Sequence, residues 1–220
     1  MCHIDVETLT EADSVSIKNY CREKNVGISA LAYYPNILSG DREMDARRKA
    51  HLYRVIDAAK MLGVGLVNTF IGRDRTKTVE ENLMTTPAIW KKIFQMLPFD
   101  NFGLNYDPSH LIWQQMDYVK PIYEFKDKLF HIHFKDVKIY QDKLDQVGIM
   151  AYPLEYMAPK IPGLGDIDWS KFISALSDIG YAGCGCVEIE DRAFEKNDAT
   201  VKGSLKTAKN YLENLGAGSF

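Results

Sequence analysis

The sequence predicts an α/β fold of the barrel type, and three observations predict it. Helix-period segments and short apolar, strand-like segments alternate along most of the 220 residues. No strand-like segment is followed by GxGxxG or GxxxxGK(S/T), the glycine signatures that cradle phosphates in nucleotide folds. Polar residues instead collect at the C-terminal ends of several different strands, where a barrel builds its site. Strands separated by helices imply parallel βαβ units, and right-handed crossovers leave either an open doubly wound sheet or a (β/α)8 barrel. The second and third observations favour the barrel.

Residues 9–24 carry helical spacing (Val15, Ile17, Tyr20, Cys21), and residues 27–34 form an apolar strand that ends before Pro35. Residues 45–62 are a longer amphipathic helix (Leu52, Val55, Ile56, Ala59, Leu62) closed by Gly63, followed by a buried strand at 64–71. The helical pattern of 78–97 is interrupted at Thr85-Thr86-Pro87, where proline suits the first turn of a new helix. Strands are then expected at 102–106, 129–134 and 184–189, and helices at 117–125, 169–179 and 200–215. There is no internal repeat. A single domain over 1–220 is expected, with 216–220 as a flexible tail.

Composition excludes several classes of function. The 27 Lys and Arg nearly balance 30 Asp and Glu, a net charge of −3, so no basic stripe points to nucleic acid or an anionic membrane. The start, MCHIDVETLTEAD, has no basic or apolar leader character, and no later run approaches the roughly 20 apolar residues that span a bilayer. The chain reads as soluble and cytoplasmic. Its four cysteines match neither a disulfide framework nor a structural zinc site. Reduced thiols are expected, with Cys184 and Cys186 packed in the core.

The segment Phe130-His-Ile-His-Phe-Lys-Asp136 is the most informative. Alternation puts His131, His133 and Lys135 on one face of a strand and Phe130, Ile132 and Phe134 on the other. The apolar set belongs against helices, which turns both imidazoles toward a barrel lumen. By the same test Asn105 and Asp107 share one face, opposite Leu104 and Tyr106, and Glu188 and Glu190 share one face, opposite Val187 and Ile189. Carboxylates and an imidazole at three strand ends suit a divalent ion such as Mn, Mg, Co or Zn. Each feature alone has an ordinary structural explanation: a core histidine, an Asp-Pro turn, a strand ending in solvent.

Asn105-Tyr-Asp-Pro-Ser-His-Leu with Trp113, His131-Ile-His-Phe-Lys-Asp136, Gly163-Leu-Gly-Asp-Ile-Asp-Trp169, and Gly180-Tyr-Ala-Gly183 running into Val187-Glu-Ile-Glu-Asp191 stand in this order over residues 28–195. In them the chain resembles the sugar phosphate isomerase/epimerase family of xylose-isomerase-like barrels, which includes ketose 3-epimerases, inosose dehydratases and, more distantly, endonuclease IV. The resemblance implies one divalent ion held by Asp107, His133 and Glu188. It implies catalytic roles for Glu188, His110 and Lys135, and substrate contacts from His110, Glu190 and Trp113. Lys135 and Asp136 would orient substrate or ligand, and His131 is either a hydrogen-bonding neighbour of the metal or a plain core histidine. The implied chemistry is proton transfer beside the carbonyl of a sugar or polyol through a metal-stabilised enediolate. An endonuclease-like reading needs more histidines than the five present and a basic surface.

The sequence also departs from the family pattern. The interval 72–101, where relatives place a strand bearing a further glutamate ligand, reads as broken helix, and the first barrel strand is missing. About six strands are expected, counting an irregular one at 150–156, against the eight of a full barrel. Exposed edges left by missing strands favour a homo-oligomer. The alternative to an isomerase is a catalytically inactive barrel fragment or scaffold. Carboxylates that would have to replace the missing ligand are Asp74, Glu80, Glu81 and Glu190.

Overall fold

The structure, a computed structural model, describes residues 4–70, 72 and 87–217. The chain divides into two compact units, Met1–Ile93 and Phe94–Phe220.

In the first unit the described elements are α1 (Glu11–Glu23), β1 (Leu31–Tyr33), α2 (Arg42–Leu62) and β2 (Val67–Thr69). Helix α1 begins where Thr10 and Asp13 satisfy each other's backbone N–H groups, a capping box. Helix α2 is capped by Asp41, whose side chain accepts from Met44 N at 3.0 Å. It ends at Gly63, whose φ of +72° lies in the left-handed region that a β-carbon disfavours. Val55, Ala58, Ala59 and Leu62 form its buried stripe, and Ser14 Oγ ties α1 to it by donating to Met61 O at 2.8 Å. β1 and β2 pair in parallel, Leu31 opposite Val67. Both strands are shorter than the apolar runs that predict them. Helix α3 (Pro87–Met96), in which the boundary between the units falls, opens on its proline as expected. The 78–86 half of the predicted segment lies outside the described residues, as do 218–220 of the predicted tail.

The second unit contains β3 (Leu104–Tyr106), α4 (Ser109–Ile112), α5 (Lys120–Glu124), β4 (Leu129–Phe134), β5 (Asp136–Ile139), α6 (Gln141–Val147), β6 (Met157–Lys160), α7 (Trp169–Asp178), β7 (Cys184–Val187) and α8 (Asp198–Asn214). β4 lies between β3 and β7, all parallel. Its apolar face packs on α7: the Phe134 ring is 5.6 Å from Trp169 and 6.4 Å from Phe172, and Ile132 is fully buried. His131 and His133 therefore take the opposite face, as the alternation predicts.

Four expectations need correction. Among the described residues there are seven strands, not six. Residues 153–155 form a 3-10 turn, and the strand follows it as β6, which pairs antiparallel with β5. β5 escapes a sequence reading because it abuts β4 with no turn residue between them. The helix expected from 117 starts at Lys120, because Asp117 Oδ1 accepts from Val119 N and Lys120 N and turns the chain first. Cys184 and Cys186 are exposed rather than core; among the described residues β7 is the edge strand of its sheet.

Asp136 is the fourth. Its side chain is fully buried, and both oxygens are committed. Oδ1 accepts from Val137 N (2.8 Å) and Ile167 N (3.2 Å), and Oδ2 accepts from Gly163 N (3.0 Å), Gly165 N (3.1 Å) and Trp169 Nε1 (2.8 Å). A β-carbon on Gly165 would lie 2.1 Å from Asp136 Oδ1, so only glycine permits this approach. Asp136 thus anchors the loop that leads into α7 and is not free to orient a substrate. No helix of the described residues is long and apolar enough to cross a membrane.

Candidate metal centre

Parallel pairing of β3, β4 and β7 brings their C-terminal ends together. Asp107 follows β3, His133 lies near the end of β4, and Glu188 follows β7. Each offers one ligand atom, and these atoms lie within 4.8 Å of one another. His133 Nδ1 is 3.0 Å from Glu188 Oε1. Asp107 Oδ1 accepts from Ser109 N at 2.8 Å, whereas its buried Oδ2 has no hydrogen-bond partner. Lys135 Nζ is 3.1 Å from that oxygen but off line for a hydrogen bond; it also lies 3.0 Å from Glu188 Oε2 and 3.4 Å from Glu190 Oε2. His110 Nε2 reaches within 3.4 Å of Asp107 Oδ2 from a half-exposed ring.

Burial works against the Lys135 ammonium, but Asp107, Glu188 and Glu190 outweigh it and hold the group well above the usual lysine range. Burial would likewise raise Glu188, yet its hydrogen bond with His133 and the charge of Lys135 bring it down to about 2. Three carboxylates, those of Asp107, Glu188 and Glu190, face the one ammonium of Lys135. A divalent cation would offset such an excess of carboxylates in a partly desolvated cluster. The donor set, two carboxylates and an imidazole, and the unclaimed Asp107 Oδ2 fit such an ion.

Asn105 joins the two histidines. Its Nδ2 is 3.0 Å from His133 Nε2, and its Oδ1 is 3.1 Å from His131 Nδ1. Burial, then the neighbouring His133, hold His131 below the usual histidine range, so the ring is neutral at pH 7. Glu190 is half exposed and meets Lys135; Asp74, Glu80 and Glu81 lie outside the described residues.

A cavity of about 350 Å³ opens beside this cluster. Its lining combines the polar His110, Lys135 and Glu190 with Trp113, Tyr152, Leu154 and Met157. The structure thus brings six of the seven predicted site residues into ion-pair contact, with Trp113 in the cavity lining. Sequence reasoning missed Tyr152, Leu154 and Met157, whose one signal was the apolar run Tyr152-Pro153-Leu154 beside β6. It placed Asn105 on the correct face without finding its histidine partners.

Comparison with known proteins places the fold in a family. The family model described as xylose isomerase-like TIM barrel matches residues 79–211, and the chain belongs to that family. An inosose dehydratase from Lacticaseibacillus casei is 30% identical over 131 residues, which cover 58% of this chain and 43% of that protein. The matched part thus spans less than half the length of this curated relative. A xylose isomerase domain protein from Planctomyces limnophilus superposes with a TM-score of 0.69 at 15% identity, covering 94% of this chain and 83% of that one. D-Psicose 3-epimerase from Clostridium cellulolyticum H10, solved with D-tagatose, gives 0.65 at 14% identity, covering 96% and 86%. At these identities the two structures show a shared fold. The barrel-type expectation holds, and the described residues supply five parallel strands of it.

Proposed function

We propose that the chain is a divalent-metal-dependent sugar isomerase or epimerase that moves a proton beside the carbonyl of a ketose or keto-polyol. The observation that carries this reading is the convergence of Asp107, His133 and Glu188 within 4.8 Å. A divalent ion held by these three would polarise the carbonyl and hydroxyl oxygens of the substrate and stabilise negative charge developing there. Glu188 takes the proton as general base. Glu190, or a water in the cavity, returns one from the other side. His110, half exposed at the mouth, hydrogen-bonds a substrate hydroxyl, Lys135 steadies oxygen charge, and Trp113 offers an apolar surface to the C–H face of the ring. Epimerisation and dehydration of a β-hydroxy ketone both begin with proton loss beside the carbonyl. The named relatives therefore point to one first step, whatever the product.

A second reading, a barrel-derived scaffold that turns nothing over, is favoured by Lys135, which already sits against Asp107 and Glu188. The two are separated by incubating the metal-loaded protein with a panel of ketoses and keto-polyols in D2O. Deuterium entering the carbon beside the carbonyl of at least one substrate, and failing to enter after chelation, is the expected result. A protein that holds metal yet exchanges no proton on any substrate is the scaffold.

A further inference from the structure

We infer that Asn105 decides which nitrogen of His133 is free to bind a metal, by rotation of its amide, and that His131 changes tautomer with it. This rests on the metal reading above, and its starting point is hydrogen-bond direction. An amide nitrogen only donates and an amide oxygen only accepts. With Nδ2 against His133 Nε2 and Oδ1 against His131 Nδ1, the His133 proton must sit on Nδ1 and the His131 proton must also sit on Nδ1. His133 Nδ1–H then donates to Glu188 Oε1, 3.0 Å away. That same Nδ1 faces Glu188, another candidate ligand, and a metal there needs its lone pair, so the proton has to move to Nε2. It would then confront the Asn105 NH2 group, two donors face to face.

A half turn of the amide resolves the conflict. Oδ1 then accepts from His133 Nε2–H, and Nδ2 donates to His131 Nδ1, whose own proton has moved to Nε2. The number of bound protons is unchanged, and both rings have exchanged tautomers. His131 is free to follow because no hydrogen-bond partner stands against its buried Nε2 among the described residues, so nothing there fixes either form. The register of β3 on β4, which sets Asn105 opposite His131, makes the coupling geometric. Asn105 is therefore a positioning residue: it presents His133 to the ion, and His131, which does not touch the ion, reports occupancy.

The test is nitrogen-15 NMR of the intact chain with labelled histidine, with and without Zn2+, using His133→Ala to assign the rings. Zn2+ is expected to move the protonated nitrogen in both His133 and His131. In Asn105→Asp the carboxylate accepts from both rings at once. His133 is then held as Nε2–H before zinc is added, His131 stays Nδ1–H throughout, and zinc binds at least as tightly as in the wild type. In Asn105→Leu zinc affinity falls about 10–100-fold, as for other residues that orient a ligand, with the far-ultraviolet circular dichroism unchanged. Zinc binding to the wild type with no change at His131 overturns the coupling and leaves the metal reading intact. A wild type that binds no zinc, by calorimetry in the same buffer, removes both.

Discussion

Glu188→Gln is expected to abolish proton exchange on any substrate the protein accepts, a loss of about 10²–10⁴-fold or more, the range general-base catalysis supplies. The substitution keeps size and one acceptor oxygen but removes both the base and a metal-ligand charge. It also removes the carboxylate that meets His133 and Lys135 at 3.0 Å each, so Lys135 loses one of its three counter-charges. The pH dependence of stability gives an independent check. Folding takes the Glu188 carboxyl from about its ordinary 4.5 down to about 2. Its contribution is therefore present above pH 4.5 and lost as the pH falls toward 2. The stability gap between wild type and variant should accordingly narrow across that window, as read by urea denaturation at a series of pH values. Near-wild-type turnover in the variant on a confirmed substrate would remove Glu188 from the mechanism.

Asp136→Ala is expected to give the largest loss of stability, roughly 3–5 kcal/mol, and to do so without touching a candidate ligand. The carboxylate gathers backbone N–H groups of Gly163, Gly165 and Ile167 and the indole N–H of Trp169. Removing it strands several buried donors at about 1–3 kcal/mol apiece before relaxation. Asp136→Asn keeps the shape but replaces one acceptor oxygen by a donor that faces other donors, so it recovers little. Trp169→Phe breaks one of these bonds and should cost about 1–2 kcal/mol. Denaturant midpoints for the three variants in that order of severity support the anchor; an Asp136→Ala protein as stable as wild type would refute it.

Much of the site was legible because strand side chains alternate with a period of two. That rule alone separates Ile132 and Phe134, which pack on α7, from His131 and His133, which do not. β4 was bounded at Leu129–Phe134 because its apolar residues are broken only by the two alternating histidines and the segment begins after the charged Lys126-Asp-Lys128. The rest depends on partners distant in sequence. Asp136 stands beside a histidine and a lysine that face the cluster, so it looked like site chemistry, but four of its five donors come 27 to 33 residues later. The Asn105 bridge depends on the β3–β4 register, which includes a shift between Leu104 and Asn105 that no local pattern encodes. The exposure of Cys184 and Cys186 accompanies the place of β7 at a sheet edge among the described residues, a property of topology rather than of the Cys-Gly-Cys sequence.

The most direct test of the metal centre is elemental analysis of the purified protein, beside His133→Ala, after reconstitution with Mn, Co, Zn or Mg. One equivalent of divalent ion per chain, lost in the variant, is the predicted result. No bound metal in the wild type under any of the four conditions would contradict it, and Asp107, His133 and Glu188 would then be a charge cluster closed by Lys135.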